Sequence, residues 1–286
     1  MKKIAFIVNP IAGGKASKKK LLILEKFAAE KDFEIFRTER AGHARKLATG
    51  LKDTYQCLAV FGGDGTINEV ASELIDHPTS LAIIPAGSGN GLAYHLEIPI
   101  ETEDALEYLQ RPAKAIDTIQ INNQYIINVG GLGFDGHVAK LFNESKSRGL
   151  FTYARLIISQ LISFKEQDFK LTLDGNESSG KAFMLAFANG SEFGNRFIID
   201  PQGDATDGKF SLVVVRKPPY HKLIPLLIDG FKGNLKESEF YKRYPVEEFF
   251  LSSLGSTLHR DGEVNSEEST GEYRLKLKPA SLKIIY

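Results

Sequence analysis

The chain has no tryptophan, two methionines and one cysteine, Cys57. A single thiol closes no disulfide within a chain, and His43, His95, His137 and His259 show no paired spacing for zinc. A reducing, cytoplasmic setting is expected. Net charge is also missing, with 36 basic residues against 36 acidic ones. Bulk electrostatics therefore gives no hold on nucleic acid. No apolar stretch approaches the ~20 residues of a membrane-spanning helix. Two lysines before a short apolar run at the N-terminus do not make a secretory signal. What is present, 286 residues with 42% apolar and 25% charged content, suits a soluble globular protein of two domains or one large one.

The most informative stretch is Phe61-Gly62-Gly63-Asp64-Gly65-Thr66-Ile67-Asn68-Glu69. An apolar run, 57–61, ends in glycines, and a helical pattern starting at Thr66 places Ile67, Val70, Ala71 and Leu74 on one face. A buried strand, a Gly-rich turn and a helix N-terminus make an anion site, because unpaired first-turn N–H groups point outward. A carboxylate inside such a turn points to a further task for Asp64: a metal ion, a hydroxyl proton or the second substrate.

Around it the order is repetitive. Continuous apolar runs at 4–8, 33–36, 57–61 and 80–84 read as buried parallel strands, alternating with amphipathic helices. Leu21, Leu24, Phe27 and Ala28 face inward on the first helix, and Ala44, Leu47, Ala48 and Leu51 on the second. Thr102 is expected to cap a short helix reaching Leu109. Three of the four strand ends carry glycine: Ala12-Gly13-Gly14-Lys15, the turn at Gly62, and Pro85-Ala86-Gly87-Ser88-Gly89-Asn90-Gly91. Ligands of parallel α/β sheets bind beyond such ends. Past about residue 115 the pattern becomes antiparallel. A hairpin is expected at 116–121 and 125–129, then a glycine-rich run at 130–136 leading into a helical stretch, and a more apolar helix at 154–164. Strands follow at 169–173, 182–188, 210–215 and 273–277, with one helix at 221–231. The fold class is therefore a Rossmann-like parallel α/β domain at 1–120, followed by a mostly antiparallel β domain at 121–279.

Together these motifs resemble the diacylglycerol kinase catalytic family, which includes bacterial lipid kinases and sphingosine kinases. Asn9-Pro10 with Gly13-Gly14 matches its opening turn. Gly62-Gly63-Asp64-Gly65-Thr66 with Asn68-Glu69 matches its signature. Pro85-Ala86-Gly87-Ser88-Gly89-Asn90 matches its third nucleotide loop, and Asp261-Gly262-Glu263 its late acidic motif. The resemblance implies a NAD-kinase-like α/β domain for the nucleotide, rejoined by 280–286, and a β-sandwich for the lipid. It also implies ATP and Mg²⁺ as cofactors and a lipid hydroxyl as acceptor. One departure stands out: Ser88 and Gly91 occupy positions where bacterial diacylglycerol-type enzymes usually carry Thr and Asp. The loop is closer to the sphingosine and ceramide kinase version.

The resemblance further implies that Asn9, Thr38, Gly62, Gly63, Asp64, Gly65, Thr66, Ile67, Asn68, Glu69, Gly87, Ser88 and Asn90 hold ATP. Asp261 and Glu263, two apart on an expected extended backbone, would share one face, so one accepts the hydroxyl proton and the other holds it or the metal. Asp64 competes for the base role. Asp117 joins an acidic network or is a solvated strand end. The 201–209 loop resembles one that binds structural Mg²⁺, through Asp207 and carbonyls near Asp204 and Lys209. His259 either orients the acidic pair or sits on the surface or in the core. The expected partners are the lipid, transiently a membrane surface, and a homodimer, without nucleic acid. Rival readings are a NAD kinase-like enzyme and a non-catalytic lipid-binding protein on the same scaffold.

Overall fold

The computed structural model describes residues 3–14, 17–145, 150–194, 196–253, 257–264 and 271–286. Lys15 lies outside that description, as do the side chains at 143, 150–154 and 158. The chain divides into two compact units, Met1–Asp117 with Pro279–Tyr286, and Thr118–Lys278.

In the first unit the chain runs β1 (Ile4–Val8), α1 (Ser17–Glu30), β2 (Glu34–Arg37), α2 (His43–Leu51), β3 (Cys57–Gly62) and α3 (Asp64–Glu73). It continues through β4 (Ser80–Pro85), α4 (Gly91–His95), α5 (Thr102–Glu107) and a 3-10 turn, Tyr108–Gln110. The strands are parallel in the order β2-β1-β3-β4. The chain's last strand completes the row, pairing Ile284 with Leu81 and Ile285 with Ala82. β1, β3 and β4 are buried at every position because helices cover both faces. Phe6, Val8, Ala59, Phe61 and Ile84 pack against Leu24 and Ala28 of α1 and Ala105 and Leu106 of α5. The alternate set, including Ile7, Leu58, Val60 and Ile83, is buried on the other face, where α2 and α3 pack. Because β2 and β3 flank β1 on opposite sides, the winding reverses between β1 and β3. That reversal is the switch point beyond which ligands of such sheets bind.

In the second unit β5 (Ala113–Ile121) leads to β6 (Gln124–Ile126), β7 (Val129–Gly133), α6 (Phe134–Glu144), α7 (Leu150–Leu161), β8 (Gln167–Leu173) and β9 (Asn176–Ala182). Next come β10 (Met184–Ala188), β11 (Glu192–Gly194), β12 (Phe197–Ile198), β13 (Phe210–Val215), α8 (Tyr220–Lys232) and β14 (Tyr241–Val246). The chain ends with β15 (Glu248–Ser252), β16 (Leu258–Arg260), β17 (Glu263–Val264) and β18 (Glu272–Ile285), whose last residues return to the first unit. One antiparallel sheet has the order β14-β13-β10-β7-β16-β17. In the other, β18 pairs with β15, β15 with β8, and β8 with β9, while the β5–β6 hairpin joins at β18. Strand alternation divides the core. Leu185, Phe187 and Leu212 meet Phe249, Leu251 and Leu275 between the sheets. Met184, Ala186, Val213 and Val215 face the opposite way, onto Val138, Leu161 and Leu223 of the helices. The unit is a β-sandwich with helices on one outer face.

Several expectations need correction. The second hairpin strand stops at Ile126, and the glycine-rich run opens as a strand, β7, buried throughout, before it leads into α6. Thr102 is not a cap but the first residue of α5, behind Glu101, and its Oγ1 is buried without a hydrogen-bond partner. Helix α3 begins at Asp64 rather than Thr66, α7 ends at Leu161, and α4, β9, β14, β15 and β17 were not foreseen.

Candidate active site

Three loops leave the carboxyl ends of β1, β3 and β4, and they touch backbone to backbone. A Cβ on Gly87 would lie 2.5 Å from the Cα of Gly63, and one on Gly13 would lie 2.2 Å from the carbonyl oxygen of Ala86. Glycine is required here first by loop packing, before any ligand is considered. Hydrogen bonds join the same loops. Asn9 donates from its backbone to the Phe61 carbonyl at 2.9 Å and from Nδ2 to Thr66 Oγ1 at 3.0 Å. Ala86 and Gly87 both donate to the Gly62 carbonyl, at 2.9 and 3.2 Å.

Asp64 completes this arrangement. Its Oδ2 accepts from the Asn90 N–H and its Oδ1 from the Gly91 N–H, both at 2.8 Å. Asn90 sits in the left-handed region, φ 53° and ψ 38°. Its Nδ2 closes onto the Gly87 carbonyl at 2.9 Å, and its Oδ1 is buried without a hydrogen-bond partner. The carboxylate inside the glycine turn therefore staples the third loop to the second. The first intrahelical bond of α3 is Ile67 N to Gly63 O, 3.0 Å. The N–H groups of Gly65 and Thr66 precede it and have no acceptor within the helix. They leave this helix end without intrahelical acceptors, at the switch point.

The other residues expected to hold nucleotide divide by environment. Thr38 is buried beside β1, its N–H on the Val8 carbonyl at 2.8 Å, and Ser88 is exposed at the tip of its loop. Three of them have structural roles of their own. Ile67 is 2% exposed, with its N–H inside the helix, so it is a core residue. Asn68 is buried and accepts from Ser72 Oγ at 3.4 Å. Glu69 accepts from the N–H groups of Gly42 and Arg45 at 2.8 and 3.2 Å, and so caps the start of α2. Asp117 is not solvated. It is buried, and its Oδ1 accepts from the Ala280 N–H at 2.7 Å.

In the second unit the acidic pair differs from the expected extended segment. Arg260 pairs with Glu263, so Asp261-Gly262 is a two-residue hairpin loop, and both residues have positive φ, 47° and 85°. That is the type I′ turn favoured by Asp-Gly. The turn sends the Asp261 carboxylate onto three successive backbone donors. Oδ2 accepts from Ile127 at 3.0 Å, and Oδ1 from Asn128 and Val129 at 2.9 and 3.0 Å. This explains why β6 ends early: the N–H groups of 127–129 are taken by Asp261 instead of a neighbouring strand. Glu263 is exposed.

Beneath the turn lies a pair that the sequence did not reveal. His259 Nε2 is 3.0 Å from Asp135 Oδ2, both residues being buried, and Gly262 donates its N–H to His259 Nδ1 at 3.3 Å. A donor on Nδ1 leaves the imidazole proton on Nε2, facing the carboxylate. Asp135 is the second residue of α6 and also accepts from the Gly136 N–H at 2.8 Å. Of the two alternatives for His259, the core placement is observed, and it touches the acidic turn through Gly262. Nearby, Asn128 Nδ2 donates to the Glu192 carbonyl at 2.8 Å. Glu192 itself is 4% exposed, its Oε2 has no hydrogen-bond partner, and burial pushes its carboxyl above the usual range against the opposing Arg196 charge.

In the 201–209 loop, Asp207 Oδ1 accepts from the Lys209 N–H at 2.9 Å, and Asp204 Oδ1 accepts from Thr206 N and Oγ1 at 2.9 and 2.7 Å. Each carboxylate closes its own turn. Among the described residues no three His, Cys, Asp or Glu side chains gather as metal ligands. What the loop offers is carboxylate and carbonyl oxygen, a donor set whose chemistry fits Mg²⁺ or Ca²⁺.

Residues 3–121 match the diacylglycerol kinase catalytic domain family, and residues 128–286 match the YegS C-terminal NAD kinase beta sandwich-like domain. The diacylglycerol kinases of Staphylococcus aureus strains JH9 and Newman are each 30% identical over 231 residues, covering 76% of this chain and 71% of theirs. A crystal structure of a diacylglycerol kinase from Bacillus anthracis str. Sterne is similar, with TM-score 0.74 and 22% identity, covering 100% of this chain and 97% of that one. A further crystal structure from the same strain gives TM-score 0.80 at 22% identity and the same coverage. With both units matched in order, this chain belongs to the diacylglycerol kinase-like family.

Proposed function

We propose that the protein is an ATP-dependent lipid kinase that transfers the γ-phosphate of ATP to a lipid hydroxyl. The observation that carries this reading is the stapled loop set at the β1/β3 switch point, with the outward N–H groups of Gly65 and Thr66, in a kinase-family chain. Phosphoryl transfer asks for positioning and charge stabilisation more than for covalent chemistry, and fixed backbone donors give both without reorganising. Mg²⁺, when bound, would neutralise phosphate charge. Ser88, exposed at the loop tip, offers a hydroxyl donor to a phosphate oxygen. Asn9, Asp64 and Asn90 act behind the phosphates, holding the loops in register.

On the acceptor side, one carboxylate of Asp261 and Glu263 takes the hydroxyl proton. Three backbone donors orient Asp261. Diacylglycerol and a sphingoid base are the acceptors we favour, the second because of Ser88 and Gly91 in the third loop. Phosphate transfer from labelled ATP with Mg²⁺ should be measured in mixed micelles. The panel holds diacylglycerol, phosphatidylglycerol, a sphingoid base, ceramide and undecaprenol, with NAD as a soluble acceptor. Labelling of a lipid is expected. Labelling of NAD alone, or of nothing while ATP fails to bind by calorimetry, overturns the proposal in favour of the NAD kinase-like or the non-catalytic reading.

A further inference from the structure

Helix α8 carries an apolar stripe that stays largely exposed, with Phe231 meeting Phe197 edge-on at its far end, ring centroids 5.2 Å apart. Tyr220, Ile224, Ile228 and Phe231 are 62%, 65%, 47% and 54% exposed. Their spacing, four, four and three, keeps them on one face of the helix. The helix is held from another side, where Leu223 and Gly230 are buried and Leu223 packs among Val213, Val215 and Leu161. The stripe is therefore surplus to the core. Ile162 is also exposed, at 63%, in the segment whose backbone Lys217 holds. Lys217, three residues before Tyr220, fixes that corner by donating Nζ to the carbonyls of Ile162 and Phe164 at 2.8 and 2.6 Å. A row of four large exposed apolar side chains on one helix face marks a contact site.

The charges around the stripe are mainly basic. Between Arg216 and Glu239 stand Arg216, Lys217, Lys222, Lys232 and Lys236 against Asp229, Glu237 and Glu239. Lys222 already pairs with Glu239 at 3.1 Å. Lys232 lies four residues after Ile228, at the edge of the stripe, where its stem can lie along the apolar face and its ammonium can reach a lipid phosphate. The helix has 13 residues, too short to span a bilayer. An apolar face edged by lysine on a short helix matches a helix lying in the headgroup layer.

We propose that α8 docks the protein on an anionic bilayer surface, burying Tyr220, Ile224, Ile228 and Phe231 among the lipids with Lys232 at their edge. This deepens the lipid-kinase reading and rests on it, since it names the surface through which a membrane-borne acceptor is met. The full chain is sedimented with unilamellar vesicles of phosphatidylcholine alone and of phosphatidylcholine mixed with phosphatidylglycerol. Binding is expected on the mixed vesicles and weaker on the neutral ones. The double variant I224S/I228S should lose at least about tenfold in vesicle affinity, with melting temperature and oligomeric state unchanged. Lys232→Glu should weaken binding to the mixed vesicles only.

Wild-type vesicle binding by the double variant overturns the proposal, as does absence of wild-type binding. A stripe variant that turns a dimer into a monomer without changing vesicle affinity also overturns it, and assigns the face to a second copy. Vesicle binding needs no phosphoryl transfer, so the two readings fail separately. Binding without labelling of any lipid removes the kinase assignment alone. Labelling of a short-chain soluble acceptor by a protein that ignores vesicles removes the docking face alone.

Discussion

At the scale of single residues, the carboxylates are the unexpected part of the molecule. Asp64, Glu69, Asp117 and Asp261 all accept backbone N–H groups from distant chain, with separations of 26–27, 24–27, 163 and 132–134 residues. A charged acceptor on a backbone donor is stronger than a neutral pair, so the same residues that look reactive in the sequence also fasten loops. Glu192 is the exception. Its Oε2 is buried without a hydrogen-bond partner, and burial raises its affinity for a proton. The consequence for stability has a definite sign. Below a pH of about 4.3 the carboxyl is protonated in both folded and unfolded chains and costs nothing. As pH rises through that value the unfolded chain ionises first while the folded chain keeps the proton, so stability falls until the raised folded value is passed. Glu192→Gln does not titrate. Urea midpoints should therefore coincide for wild type and variant in acid and separate above it, with the variant the more stable. Parallel profiles, or a wild type that gains on the variant with rising pH, would show that the Arg196 charge outweighs burial.

At the scale of elements, the hairpin made by β16 and β17 does two jobs. Its type I′ turn presents Glu263 to solvent, and through Asp261 it ends β6 and starts β7. The two carboxylates should therefore fail differently. Asp261→Asn keeps one acceptor oxygen for three donors and should lower stability by about 1.5–3 kcal/mol, the usual worth of hydrogen bonds to a charged group, while also lowering turnover. Glu263→Gln should lower turnover with an unchanged melting curve. Equal melting losses in both variants would sink the distinction. The same hairpin shows what the sequence made legible. β1, β3 and β4 were readable because strands buried on both faces are continuous apolar runs, and α1, α2 and α8 because their apolar residues keep helical spacing. β7 was not, since Val129-Gly130-Gly131-Leu132-Gly133 looks like a loop until its neighbours are known. A Cβ at Gly130 would sit 2.9 Å from the His259 carbonyl oxygen, and one at Gly131 would sit 2.7 Å from that of Leu185. The three glycine loops were readable as a set. The staple from Asp64 to Asn90 and the pairing of Asp135 with His259 were not, because no local pattern marks a partner 26 or 124 residues away.

At the scale of the whole molecule, the chain closes its first unit with its last residues. After the second unit, β18 returns, and Leu282, Ile284 and Ile285 are each at most 1% exposed. The return is fastened at its entry by Asp117 on the Ala280 N–H, 2.7 Å, and by the Asp76 N–H on the Ser281 carbonyl, also 2.7 Å. Ile284 and Ile285 then pair with β4. Burying three aliphatic side chains of this size contributes roughly 5–9 kcal/mol, and a typical domain is stable by only about 5–15 kcal/mol. A chain stopped after Lys278 should therefore lose the fold of Met1–Asp117, because the lost strand also leaves the fully buried, apolar β4 as an open edge. Limited proteolysis should then cut throughout that segment, and ATP should no longer raise the melting temperature. Leu282→Ala gives the graded control, with an expected loss of about 2–5 kcal/mol and a retained, if less stable, first unit. A truncated chain that resists protease within Met1–Asp117 as the full chain does would mean that β1, β3 and β4 close their core without the returning strand. The tail would then be an ornament on the sheet rather than part of its core.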